Sequence, residues 1–351
     1  MTSFDTIVLG ASGYAGGECL RLVHGHPALK LTAAVSASKA GTAVGSLFPH
    51  LASSVDVKFR APSEVPAILD EAMGTVAVLS AASHGASAPL IAELITAAER
   101  QGVDVRVVDL SADFRYGDAR AYEAVYQQAH GAPGLLPLFG CGLPEHVDGI
   151  PRHAGHPGCF TTSVLLAAVP LLKLGIVEPE IFAFGVTGST GSGREPRETT
   201  HHPERHSNLF AYQPLVHRHV PEMTELAEKA AGVEPTIHFV PHSGPFARGI
   251  HTTLQGKLRA SLDAEAIRAE LARFYADSPL VRVVSGTPRV KDVAGSSFAH
   301  LGVAASGDTV AVFSVIDNLL KGAAGGGVQW LNRMLGLPET MGLTQPAPGW
   351  I

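Results

Sequence analysis

The tightest constraint on the fold lies at the start of the chain. Thr6-Ile7-Val8-Leu9 is a short apolar run of β type, followed by the glycine-rich stretch Gly10 to Glu18 and then an apolar helical period through about His24. Strand, glycine loop and helix in that order place backbone N–H groups at a helix N-terminus, where they bind a pyrophosphate. The glycines are spaced G-x-x-G-x-x-G, so the setting rather than the motif carries the reading. Gly10, Ser12, Gly13, Tyr14 and Ala15 are the candidate cofactor contacts. Cys19, inside the helix, reads as core.

A second strand, Leu31 to Val35, runs into Ser36-Ala37-Ser38-Lys39. A dinucleotide without a 2′-phosphate is usually met here by an acid that binds the ribose hydroxyl. Ser36, Ser38 and Lys39 stand there instead and suit a phosphate, so NADP(H) is expected over NAD. Further strands are read at Val76 to Leu79 and Val105 to Val108, separated by a helix over Ala88 to Arg100. This alternation predicts a parallel doubly wound sheet whose ligands bind past the carboxyl ends of its strands. Ser83 is thereby expected to face cofactor. Asp109, Asp113 and Arg115 are expected to structure the cleft or to hold an anion.

At 351 residues the chain has room for two cores. Pro/Gly-rich connections over 131–144 and 149–158 mark the boundary. Residues 1–155 read as a dinucleotide-binding domain completed by 318–351, and 156–317 as a catalytic, substrate and oligomerisation domain. In the latter the strand-like runs (181–186, 236–240, 251–258, 281–284, 310–315) follow no regular crossover pattern, which predicts an α+β domain with a mixed sheet. The fold class is therefore α/β, a Rossmann-type doubly wound sheet plus an α+β domain.

A formal net charge of -6 argues against nucleic acid or anionic membrane as partner. No apolar run of about 18 residues and no secretory signal are read, and three cysteines at unrelated spacings suit a reducing cytoplasm. The 17 histidines form no HExxH motif and the cysteines no CxxC, so no metal site is expected. Apolar surface on the second domain's sheet would fit a homo-oligomer, a dimer or tetramer.

The chemistry centres on His156-Pro157-Gly158-Cys159-Phe160-Thr161-Thr162. A Pro-Gly turn precedes the thiol, two cap-type threonines follow, and Val164 to Leu172 is apolar at helical spacing. The thiol is thus expected in the first turn of a helix, where unpaired N–H groups and the macrodipole favour its anion. Cys159 is the candidate nucleophile. His217-Arg218-His219-Val220-Pro221-Glu222 supplies two alternate histidines, read in an extended stretch, with Glu222 close enough to orient one. His219 is the first choice of acid–base group and His217 the second. The small-residue loop Thr187 to Arg194 lets backbone approach a ligand at Gly191 and ends in Arg194, a candidate anion contact.

With these residues in view, the chain resembles the N-acetyl-gamma-glutamyl-phosphate reductases of arginine biosynthesis, among the aspartate-semialdehyde dehydrogenase-like enzymes. The resemblance runs nearly end to end: GASGYAGGE at 10–18, SHGAS at 83–87, DLSADFR at 109–115, GLPE at 142–145, HPGCFTT at 156–162, TGSTGSGR at 187–194, HRHVPE at 217–222 and DNLLKGAAG at 317–325. It implies NADPH-dependent reduction of an acyl phosphate through a thioester on Cys159, with Arg115 and Arg194 on substrate anions. Asn318 near the nicotinamide is implied by the resemblance alone. Cys141 before GLPE and the segment THHPERHSN depart from the pattern. An aminoadipyl homologue as substrate, or an inert NADP-binding sensor, are the alternatives.

Overall fold

A computed structural model describes residues 3–72 and 74–350. The chain divides into two compact units, one containing residues up to Pro144, Asp148–Pro157 and Ala323–Leu343, the other Glu145–Val147, Gly158–Gly322 and residues from Thr344 on.

In the first unit seven strands make one parallel sheet: β1 (Phe4–Leu9), β2 (Leu29–Val35), β3 (Phe59–Arg60), β4 (Thr75–Ser80), β5 (Asp104–Asp109), β6 (Phe139–Cys141) and β7 (His153–Gly155), in spatial order 3-2-1-4-5-7-6. Its helices are α1 (Tyr14–His24), the single turn α2 (Val44–Leu47), α3 (Val65–Asp70), α4 (Ser87–Gln101) and α5 (Ala119–Tyr126). Alternate strand residues point to opposite faces. Ile7, Leu9, Ala33, Val35, Val76, Val78, Val105 and Val107 pack against α3 and α4. On the other set of positions, Leu79 and Val108 meet Gly327, a residue of the C-terminal helix described below. Strands buried on both faces lose their alternation and read as continuous apolar runs, which is why β1, β4 and β5 are legible in the sequence.

Two elements differ from expectation. β6 and β7 lie inside stretches read as Pro/Gly-rich connections. Both are three-residue strands at the sheet's edge, too short to carry a period. Asp109 is fully buried and accepts from the Ser87 and Ser111 hydroxyls, each at 2.6 Å, while Asp113 accepts from the Gly85 and Ala88 amides at 2.8 and 2.9 Å. Burial, partly opposed by those serines, pushes the Asp109 carboxyl up to about 6.

The second unit holds a mixed sheet of β8 (Val177–Thr187), β9 (Phe210–Ala211), β10 (Thr236–Ser243), β11 (Ile250–Leu258), β12 (Val281–Val283), β13 (Ala299–Ser306) and β14 (Thr309–Ile316), in spatial order 12-13-14-11-8-10-9. β13 escaped the sequence reading because its glycine, alanines and His300 show no β-type run. Helices α6 (Cys159–Lys173), the single turn α7 (His202–Arg205), α8 (Val220–Ala231) and α9 (Ala264–Phe274) complete the unit. Every residue of α6 from Phe160 to Leu172 is buried. Ser163 bonds the Thr252 hydroxyl at 2.8 Å and Ser314 at 3.2 Å, tying α6 to β11 and β14. A Cβ at Gly185 of β8 would lie 2.4 Å from the Phe160 ring, so only glycine lets that ring seat.

The opposite face of this sheet is partly open to solvent. Phe182 and Phe184, side by side on β8, are each 43% exposed, and the registers align Phe184 with Val240, Thr253 and, one strand further, Phe313. After β14 the chain makes a π-turn, Leu320–Ala324, and enters α10 (Gly325–Met334), which belongs to the first unit. A Cβ at Gly326 would overlap the His156 ring, and the Trp330 indole donates to the Gly142 carbonyl at 3.1 Å. Among the described residues no helix is long and apolar enough to cross a membrane.

Candidate active site

The cysteine turn forms as its residues predict, with one revision. Gly158 is the N-cap of α6 and Cys159 its first helical residue, whereas Thr161 and Thr162 are buried within the helix and cap nothing. The amides of the first turn have no intrahelical partner and face toward the helix N-terminus beside the thiol. Cys19 gives the contrast. It is fully buried, and burial together with the Glu18 charge pushes its thiol well up, so it stays protonated.

Cys159 opens on a cavity of about 380 Å³, formed entirely within the second unit. His217, His219, Arg218, Tyr212 and Arg197 line it, as do Gly191 and Ser192. None of its lining residues is an aspartate or glutamate. The histidines sit in a tight turn rather than the extended stretch expected: the Val220 amide donates to the His217 carbonyl at 2.9 Å, and α8 begins directly after His219. Their rings nevertheless lie 4.7 Å apart, nearly perpendicular, on the same cavity. The His219 amide donates to His217 Nδ1 at 3.2 Å, which leaves the His217 proton on Nε2 when the ring is neutral. Burial, reinforced by the Arg218 charge, pulls His217 down to about 4. Burial and the charge of a Cys159 thiolate push the Tyr212 phenol up.

Glu222, expected to orient a histidine, reaches the thiol turn. It is buried on the first turn of α8, and its Oε1 accepts from the Gly158 amide at 2.6 Å, directly ahead of the thiol. Arg194 is exposed and does not line the cavity; Arg197 and Arg218 do, and neither was singled out from the sequence. Tyr212 was missed as well, since a lone tyrosine beside a two-residue strand carries no spacing signal. Arg115 is buried in the first unit, its Nε donating to the His156 carbonyl at 3.0 Å and its Nη2 to the Leu110 carbonyl at 2.9 Å. Asn318 is buried too: its Oδ1 accepts from the Gly249 amide at 2.7 Å and its Nδ2 donates to Thr190 at 2.9 Å, which secures the loop carrying Gly191. Arg248 pairs with Asp317.

In the first unit the glycine loop has the shape a dinucleotide needs. Gly10 adopts φ +63°, and a Cβ there would meet the Ala82 amide at 2.3 Å, so glycine is required for β1 and β4 to close on each other. Gly13, the N-cap of α1, has nothing within 4 Å of where a Cβ would stand, and the first turn of α1 holds no acid. That bare amide end has the room and polarity for a phosphate, so the residues fit a nicotinamide dinucleotide. Ser36 donates to Ser12 at 2.9 Å, joining the two cofactor loops, while Ser38, Lys39 and Ser83 are exposed and Tyr14 and Ala15 open the helix.

His217 yields a pH prediction. Its folded pKa of about 4 lies below the ordinary value of 6.5, so its stabilising share is present above 6.5 and is lost as pH falls toward 4. Denaturant titrations of His217→Phe should show up to about 3 kcal/mol less loss between pH 7 and pH 4.5 than the parent chain. Equal slopes would mean that the imidazole is not held neutral.

Comparison with known proteins agrees with this geometry. The NAD binding domain of semialdehyde dehydrogenases matches residues 5–147, and their dimerisation domain matches residues 159–318. The N-acetyl-gamma-glutamyl-phosphate reductase of Methanopyrus kandleri is 39% identical over 347 residues, 97% of each chain, and that of Rhodospirillum rubrum is 37% identical over 349 residues, again 97% of each. Among solved structures, aspartate semialdehyde dehydrogenase II from Vibrio cholerae superposes with TM-score 0.69 at 17% identity, covering 96% of this chain and 99% of that one. An aspartate semialdehyde dehydrogenase with NADP from Candida albicans gives 0.65 at 14%, covering 97% and 100%. These last two carry the fold alone. Matched along nearly its whole length by curated relatives of one kind, the chain belongs to the N-acetyl-gamma-glutamyl-phosphate reductase family of semialdehyde dehydrogenases.

Proposed function

We propose that this protein is the NADPH-dependent reductase of N-acetyl-gamma-glutamyl phosphate, yielding N-acetylglutamate semialdehyde and inorganic phosphate in arginine biosynthesis. The observation that carries the reading is the cavity in which one helix-start thiol, two histidines and two guanidinium groups meet without a carboxylate. The Cys159 sulfur attacks the acyl carbon, and the acyl–oxygen bond to phosphate breaks, leaving a thioester on Cys159. First-turn amides of α6 stabilise the tetrahedral oxyanion, a contribution of about 10²–10³ in rate where it has been measured. A bound nicotinamide would supply the hydride that reduces the thioester at that carbon; loss of the C–S bond would return Cys159 as thiolate and free the aldehyde. His219 moves the protons of thiol and leaving group. His217, held neutral with its proton on Nε2, donates a hydrogen bond into the cavity. Arg197 and Arg218 complement the substrate's phosphate and carboxylate. An inert sensor would have no use for such a thiol, and the relatives' names favour the glutamyl over the aminoadipyl chain.

Gly10, Ser12, Gly13, Tyr14 and Ala15 hold the pyrophosphate, with Ser83 on the neighbouring loop. Ser36, Ser38 and Lys39 favour the 2′-phosphate, hence NADP(H). The exposed Phe182 and Phe184 face packs on a second copy of the chain; a match to a dimerisation domain over the same residues supports this. All three cysteines are free, which suits the cytoplasm.

Steady-state kinetics with glutamyl and aminoadipyl phosphates should show kcat/KM at least about tenfold higher for the glutamyl chain, since one methylene is worth about 10–200-fold. Cys159→Ser should bind NADPH normally and lose turnover; retained phosphate-dependent turnover would refute the mechanism. Lys39→Glu should erase the preference for NADPH over NADH, and an unchanged ratio would remove the role given to that loop. Phe184→Glu should lower the mass seen in sedimentation to that of one chain, whereas an unchanged mass would place the interface elsewhere.

A further inference from the structure

One charged pair lies wholly outside the chemistry just described. Lys321 and Glu145 are 1% and 0% exposed at their side chains and bond to each other across 176 residues of sequence. Lys321 is the second residue of the π-turn Leu320–Ala324, an irregularity that inserts one extra residue into a helical turn and recurs at functional sites. The next residue is Gly322. A Cβ there would stand 2.7 Å from the Cys159 Cβ and 3.1 Å from its Cα, so the π-turn backbone is the surface on which the nucleophile's side chain rests.

Both ends of this surface are fixed. At one end the Gly322 amide donates to the Asp317 carbonyl at 3.0 Å, and the buried Asp317 carboxylate accepts from Arg248 and from the Gly295, Leu319 and Leu320 amides, at 2.6–3.1 Å. At the other, Glu145 is followed by His146, whose Nε2 meets the Tyr275 hydroxyl at 2.8 Å; that hydroxyl donates to the Leu166 carbonyl of α6, also at 2.8 Å. Lys321 and Glu145 therefore close a ring that starts at Gly322 under Cys159 and returns to the same helix two turns on.

We propose that the Lys321–Glu145 pair is a positioning device for Cys159, setting the register of the π-turn so that Gly322 fixes where the sulfur stands. A buried ion pair is a poor source of net stability, because desolvating two charges offsets their attraction; what it supplies is one permitted register. Slippage of the turn by one residue would bring Lys321 or Ala323 beneath the thiol in place of Gly322. The inference uses the reading of Cys159 as the nucleophile and is tested by a readout that needs no substrate.

The experiment measures iodoacetamide labelling of Cys159 by peptide mass spectrometry from pH 6 to 9 in the parent chain, in Lys321→Met/Glu145→Leu and in Gly322→Ala. His217, His219, Arg218 and Tyr212 face the sulfur from the cavity and are unchanged in each variant. The double variant, which removes both charges together, should melt near the parent temperature and bind NADPH as before, yet label about tenfold more slowly at pH 7. Its kcat should fall with KM unchanged. Gly322→Ala should show the same slow labelling through direct displacement of the thiol; if the double variant does not fold, Lys321→Arg, which keeps the charge but changes the reach of the pair, should label more slowly in its place, and parent-like labelling there would overturn the proposal. Parent-like labelling and kcat in a folded double variant, or in Gly322→Ala, would overturn the proposal. Slow labelling in a chain that proves inactive on glutamyl phosphate would uphold it while sinking the proposed function.

Discussion

One hydrogen bond couples the cysteine turn to the histidine turn. Glu222 lies on the first turn of α8, directly after His219, and its carboxylate holds the Gly158 amide at 2.6 Å. Both partners are buried, so the bond is shielded from water. The thiol turn and the histidine turn are 58 residues apart in sequence, counting from Cys159 to His217. They belong to the tips of two helices that pack together, α6 and α8. Any shift of α8 that moved the imidazoles would pull on the same amide that shapes the cysteine turn.

The burial of α6 gives that coupling its rigidity. A helix with no polar stripe has no preferred way to face solvent and must be enclosed by sheet and neighbouring helices. Of its buried hydroxyls, that of Ser163 is met by Thr252 and Ser314. Packing at that density resists small displacements, so a reactive side chain at the end of such a helix inherits its precision. The same enclosure explains why Phe160 needs Gly185 opposite and why Cys159 needs Gly322 beneath.

The sequence was most legible where local periodicity and tertiary burial agree. The strands of the parallel sheet, the glycine loop, the cysteine helix and the paired histidines each announce themselves within about ten residues. Elements that depend on remote partners do not. β6, β7 and β13 are strands only because a neighbour offers its edge. Arg197 and Arg218 become cavity residues through loop geometry, while Arg194, three positions from Arg197, faces solvent. Glu222 reads as a partner for histidine because they are close in sequence; its bond to the Gly158 amide, 64 positions away, carries no sequence signal. Lys321 received no role from the sequence, because its carboxylate partner lies on the other side of the cysteine motif.

The acid-free cavity lies wholly within one compact unit, and the glycine loop with Ser36, Ser38 and Lys39 wholly within the other. On the reading proposed above, the acyl group and the dinucleotide's phosphates are met by separate stretches of sequence. A fold divided in this way can exchange its taste for cofactors without relearning its substrate, and can meet a longer or shorter acyl chain without rebuilding its dinucleotide loop.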